Sequence, residues 1–194
     1  YAKEPQNFLY RISMVDREQV SLLGAYAVKA SKEKKIAILA DSTGYGQGGI
    51  KDATDILALH GVKPVAVEKY GPKDTDMTSQ LNKIKAAGAD TVIIYGIADG
   101  AAQVLRSMEK INYMPTTLGT WGNLSSLLPK MAGTKLAEHS IMAASTTEDT
   151  SDKTKALGQR VRVNFPTLTT FPCSAQAYDS VMLLAAAMKQ AGST

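Results

Sequence analysis

Three times in this chain a short apolar run stops at a turn and opens into a segment of helical periodicity. Lys35 to Ala40 reads as a buried strand, Asp41 to Gly44 as a turn, and the segment from Gly46 as a helix carrying Ile50, Ala53, Leu57 and Ala58. Thr91-Val92-Ile93-Ile94-Tyr95 is β-branched and aromatic, as a central strand would be. It meets Gly96-Ile97-Ala98-Asp99-Gly100 and then a helix with Ala101, Val104, Leu105, Met108 and Ile111. A shorter strand, Thr116 to Gly119, ends at Thr120-Trp121-Gly122-Asn123. Strands alternating with helices predict an α/β fold, a doubly wound, mostly parallel sheet with helices on both faces.

The rest of the chain fits that frame. Asn7 to Ser13 alternates apolar and polar, as a strand does, and Asp16 is placed to N-cap a helix from about Arg17 to Ala30. Gly61 ends the second helix, and Val62 to Tyr70 reads as a strand with Val65-Ala66-Val67 at its core. A turn, Gly71-Pro72-Lys73-Asp74, precedes a helix from Met77 to Ala87 with Asp76 as its cap and Met77, Leu81 and Ile84 inward. Ser125 to Met131 reads as a short helix, Ser140 to Ala144 as a strand and Asp152 to Asn164 as a helix. Thr167 to Pro172 reads as a loop. Ser174 to Ala191 is a long helix whose expected buried side is Ala175, Tyr178, Val181, Met182, Ala185 and Met188. Without a repeat, a low-complexity tract or a clear linker, residues 1–194 read as one lobe.

Bulk properties remove several function classes. A hydrophobic content of 44% and a charged content of 21% are ordinary for a globular chain, and no stretch approaches the length of a membrane span. The start, Tyr1-Ala2-Lys3-Glu4-Pro5, lacks the basic and apolar regions of a signal peptide. A net charge of +4 is dispersed without aromatic-basic interleaving, so nucleic acid is not an expected partner. The lone Cys173 excludes an internal disulfide, and His60 and His139 have no ligand-spaced neighbour, so no metal or other cofactor is expected.

An enzyme reading fails on its parts. The run Gly44-Tyr45-Gly46-Gln47-Gly48-Gly49 lacks the Lys and Ser/Thr of a phosphate loop. Nor does it fit a dinucleotide fingerprint, since Glu68 lies mid-strand rather than at a strand end. No nucleophile elbow or Cys/His pair is present. A binding reading fares better. Three strand-to-helix joints fall on the same carboxyl edge of a parallel sheet, where open α/β folds hold ligands. Tyr45 offers a hydroxyl and a ring face, Trp121 a larger face and an indole donor, and the helix starting near Gly46 a positive dipole end. Packing is the competing role: Tyr45 can cap its loop, Trp121 can fill the core and Ile97 can simply pack.

At this point the chain resembles a known family. Tyr10-Arg11 with Asp16, Lys35 to Leu39 leading to Tyr45-Gly46-Gln47-Gly48, and Asp74-Thr75-Asp76-Met77-Thr78-Ser79-Gln80-Leu81 carry the first half of the likeness. Ala89-Asp90-Thr91-Val92-Ile93, Gln103-Val104-Leu105-Arg106 and Ala177-Tyr178-Asp179-Ser180-Val181 carry the second. In this order they resemble the bacterial solute-binding proteins of ABC transporters in the branched-chain amino-acid class, the Leu/Ile/Val-binding-protein-like type I periplasmic fold. Met77 stands where that family usually has Phe.

The resemblance implies a non-catalytic periplasmic or extracytoplasmic protein that closes two lobes on a small ligand and delivers it to a membrane permease. It implies that this chain supplies the second lobe, with the first lobe absent. The implied ligand-binding residues are Tyr45, Trp121, Ile97, Gly96, Asp99 and Gly44, with Tyr45 closing on the ligand. Trp121 falls where amino-acid-binding members place a glutamate for the ammonium group, and a buried ammonium needs a counter-charge. The expected ligand is therefore an aromatic or aliphatic carboxylate without an α-amino group, unless Asp99 supplies that charge. Two further readings share the fold: a ligand-sensing regulatory domain and a nucleotide-dependent enzyme.

Overall fold

The computed structural model describes residues 10–192. They form two compact units, Val15 to Ser145 and, separately, the segment before Val15 together with Thr146 onward.

The larger unit runs α1 (Asp16–Ala30), β1 (Ile36–Asp41), α2 (Gly44–Leu59), β2 (Ala66–Tyr70), α3 (Thr78–Ala86), β3 (Thr91–Tyr95) and α4 (Ala98–Lys110). It continues through β4 (Thr116–Gly119), a single 3-10 turn at Trp121–Asn123, α5 (Leu127–Ala132), α6 (Thr134–Ala137) and β5 (Ser140–Met142). The five strands are all parallel in the order β2-β1-β3-β4-β5. The expected doubly wound α/β class is therefore what forms, with β3 in the middle of the sheet and buried along its whole length.

Strand alternation sorts the core into two clusters. From β1, Ala37 and Leu39 join Val92 and Ile94 on one face, covered by Met77, Leu81 and Ile84 and by the α4 residues Val104, Leu105 and Met108. Ile36, Ile38 and Ala40 join Ile93, Tyr95 and Leu118 on the other, covered by Val20, Leu23 and Ala27 of α1 and by Ala53, Ile56 and Leu57 of α2. Burial on both faces is why these strands read as continuous apolar runs.

Several expected boundaries shift. Of the strand expected over 7–13, residues 7–9 lie outside the described residues, and Tyr10 to Ser13 form no strand. Arg11 instead bonds locally to Ser13 and to the Met14 carbonyl. Strand β2 is shorter than expected because it is an edge: Val65 and Val67 are 38% and 42% exposed rather than core. Val15, not Asp16, occupies the N-cap of α1. Met77 takes the N-cap position of α3, although the Asp76 carboxylate still accepts the Thr78 N–H at 2.8 Å. Helix α4 begins at Ala98, so Asp99 is an exposed first-turn residue.

The smaller unit holds α7 (Asp152–Asn164) and α8 (Phe171–Ala191). Ser151 caps α7, accepting from the Thr154 N–H. Helix α8 starts three residues earlier than the sequence suggests, with Pro172 in its first turn. Its expected buried side is largely exposed: Tyr178, Val181 and Met182 are at 43%, 67% and 51%, and only Ala175 of that set is buried. Periodicity marks an apolar face, but it does not say whether anything covers it.

Candidate functional site

Strand order reverses between β1 and β3, so the crevice expected of this topology lies where those two strands end. Asp41 closes β1. Its carboxylate is only 5% exposed and accepts the Thr43 N–H at 2.9 Å and the Thr43 hydroxyl. That contact turns the chain into α2, whose second residue is Tyr45.

Close approach explains two of the glycines here. A side chain on Gly46 would strike the backbone end of Asp41, and one on Gly49 would strike the ring of Tyr95. Gly44 and Gly48 face open space. Gly46 and Gly49 let α2 press on the strand ends. Gly49 makes room for Tyr95, and the rings of Tyr95 and Tyr45 lie 4.6 Å apart at 51°.

The three joints are knitted together. The Tyr45 hydroxyl donates to Thr120 Oγ1 at 3.2 Å. Asn123, fully enclosed, donates its Nδ2 to the Gly96 carbonyl at 2.9 Å, and its Oδ1 accepts the Thr120 N–H at 3.0 Å. Gly122 lies against both neighbours: a Cβ there would be 2.6 Å from the Gly96 oxygen and 3.2 Å from the Tyr45 hydroxyl. Tyr45, Gly96, Thr120 and Trp121 therefore share one patch of the carboxyl edge. Burial pushes the Tyr45 hydroxyl above its ordinary range, and the Thr120 contact works against that rise. It stays a neutral donor at physiological pH.

Trp121 is neither core filler nor a free donor. It is partly exposed and lies outside both apolar clusters of the described residues. Its backbone N–H donates to Gln19 Oε1 at 2.8 Å, and its indole Nε1–H donates to Asp16 Oδ1 at 3.1 Å. The indole N–H is thus already engaged within the lobe. Ile97 is 58% exposed on the same edge. Asp99 is exposed in the first turn of α4, and Gly44 is exposed at the start of α2. Among the described residues none of these three hydrogen-bonds to Trp121 or Tyr45.

Sequence reasoning missed Gln19, Thr120 and Asn123 as site residues, and read Asp16 as a helix cap and as part of the family resemblance, not as a partner of Trp121. Gln19 and Asp16 act across 102 and 105 residues of chain. Asn123 bears a different signal, a polar residue two positions after a tryptophan at a strand-to-helix joint. Tyr70, ending β2, was also unremarked. Its hydroxyl is buried beneath Gly96 and Gly100, and burial followed by the Asp41 charge pushes it well above its usual range.

A five-stranded parallel sheet flanked by helices, its carboxyl edge built from three βα joints, is an open α/β lobe. Residues 2–194 match the family model described as periplasmic binding protein, and the chain belongs to that family. It is 24% identical to a Leu/Ile/Val-binding protein homolog of Brucella melitensis, over 96% of this chain and 50% of that protein. It is 31% identical to an amino acid binding protein of Pseudomonas aeruginosa, over 64% of this chain and 33% of the other. Among solved structures, a leucine-binding protein from Thermotoga maritima superposes with a TM-score of 0.82 at 19% identity, covering 96% of this chain and 53% of that one. At that identity the last match speaks for the fold. The chain spans half or less of the length of these two curated relatives. The family is one of substrate-binding proteins rather than enzymes.

Proposed function

We propose that the chain is the ligand-gripping part of an extracytoplasmic solute-binding protein that hands a small organic ligand to the permease of an ABC importer. The observation that carries this is the knitted edge, where hydrogen bonds join Tyr45, Thr120, Asn123 and Gly96 beside Trp121 at the carboxyl ends of the strands. The names of the relatives, Leu/Ile/Val-binding and amino acid binding, agree with it. In this reading unit Val15–Ser145 presents the edge, and a counterpart lobe outside this chain closes on the ligand by hinge motion. Tyr45, Trp121, Ile97, Gly96, Asp99 and Gly44 remain the proposed contacts, with Tyr45 and Trp121 foremost. A periplasmic location follows from the same reading.

The ligand is a small carboxylate-bearing solute. The preference for an acid without an α-amino group loses its ground, because it assumed that no carboxylate stands near Trp121. Asp16 stands there. Amino acids and simple acids are thus both arms of the test, a thermal-shift screen of the intact two-lobed protein. It would use L-leucine and L-valine on one side, benzoate and short aliphatic carboxylates on the other. A solute at a hundred times its Kd should add about 2.7 kcal/mol of stability. Trp121→Ala and Tyr45→Phe should each shrink the shift. The reading fails if both variants respond like the parent, or if no solute of either class raises the melting temperature.

A further inference from the structure

We infer that Asp16 and Gln19 are positioning residues that lock the ring plane of Trp121, so that the first turn of α1 sets the shape of the ligand wall. The inference rests on the reading of Trp121 as part of that wall. Its geometry is a closed ring of hydrogen bonds. Gln19 Oε1 accepts the Trp121 backbone N–H at 2.8 Å, Gln19 Nε2 donates to Asp16 Oδ1 at 3.1 Å, and that same oxygen accepts the indole Nε1–H at 3.1 Å. The backbone and the far end of one side chain are thus tied to a single short segment.

Three features set this apart from incidental surface bonding. Gln19 is fully buried in α1, so its amide is not free to exchange these partners for water. Only one amide orientation satisfies the ring, because the flipped form would face donor to donor at Trp121 and acceptor to acceptor at Asp16. And Trp121 belongs to neither apolar cluster of the described residues, so these hydrogen bonds are not backed by core packing. A partly exposed aromatic held by polar groups has its face kept available.

The chain reports on this directly, because Trp121 is its one tryptophan. The test is native-state fluorescence of the full chain with acrylamide as the probe, alongside far-UV circular dichroism and a urea midpoint. Asp16→Ala removes the acceptor of the indole, and the preference for the held rotamer should fall roughly 10- to 100-fold, the equilibrium equivalent of a hydrogen bond to a charged group. The emission should move to longer wavelength and the acrylamide quenching constant should rise, with the circular dichroism unchanged. Asp16→Asn keeps an oxygen acceptor and should restore most of both readings. Gln19→Met, near in length but without polar ends, should move them in the Ala direction. A purely structural role would shift the urea midpoint and leave native-state emission and quenching alone. That pattern overturns the inference, as does an Asp16→Asn change as large as that of Asp16→Ala. Because no ligand enters these measurements, failure here is separate from failure of the solute screen.

Discussion

Two glycines in the same helix should respond in opposite directions to the same substitution. Replacing glycine by alanine inside an exposed helix is worth about 1 kcal/mol of stability, because alanine loses less backbone entropy on folding. Gly48 is exposed in α2, and a methyl there meets nothing within 4 Å. Gly48→Ala should therefore stabilise by about 1 kcal/mol, roughly 2–4 °C in melting temperature for a domain of this size. Gly46 lies two residues earlier. Its methyl would lie 2.7 Å from Asp41 Oδ1 and 2.8 Å from the Asp41 carbonyl carbon, and closer still to the carbonyl oxygen. That backbone cannot yield, because β1 is paired on both sides and the Asp41 carboxylate is tied to Thr43. Forcing a methyl into such a site costs about 3 kcal/mol, the upper end for overpacking, and the propensity gain offsets about 1. The variants should thus differ by about 3 kcal/mol, with Gly46→Ala about 2 below the parent. Urea unfolding followed by Trp121 fluorescence reads the unit that contains both positions. Equal midpoints for the two variants would refute the close-approach argument for Gly46.

Other consequences are open to simple measurements. Asn123→Ala strips partners from the buried Thr120 N–H and the Gly96 carbonyl; at about 1–3 kcal/mol for each orphaned group it should destabilise by several kcal/mol in the same urea assay. A loss under 1 kcal/mol would mean that the joints are not held through this amide. Tyr113 donates to the Ala89 carbonyl at 2.7 Å, and burial, with the Asp90 charge behind it, pushes its hydroxyl up to about 12. The folded state therefore holds this proton more tightly than the unfolded state. Its contribution is complete below about pH 10, the unfolded value, and is lost as pH rises from there through about 12. Tyr113→Phe should flatten the fall in melting temperature over that window; a curve parallel to the parent's would count against it.

Much of the fold was legible because the sheet is parallel and covered on both faces. Ile36 to Ala40 and Thr91 to Tyr95 are buried at every position, so each strand announces itself as an unbroken apolar run. Helix α4 was legible for the complementary reason: its buried residues Ala101, Val104, Leu105 and Met108 follow helical spacing against a polar far side. Elements that lacked a second covering layer were misread. Val65 and Val67 carry strand propensity, yet sit at an edge and face solvent. Tyr178, Val181 and Met182 repeat at helical spacing and are exposed along α8. Propensity reports what a residue favours locally; burial depends on what else arrives.

The candidate site was half legible for a related reason. Tyr45 and Trp121 could be placed on one edge because each follows a strand, and parallel strands end on the same side. The groups that tie down Trp121 come from α1, whose sequence says nothing of Trp121. Asp16 shows the consequence. A ligand carboxylate about 6 Å from it, at an effective dielectric of about 20, would meet roughly 3 kcal/mol of repulsion, and an ammonium the same in attraction. That exceeds the 0.5 to 2 kcal/mol, roughly, that a tryptophan face gives a cation. In the proposed reading, the carboxylate beside Trp121 thus weighs more than the ring face in choosing which end of a ligand turns toward Trp121.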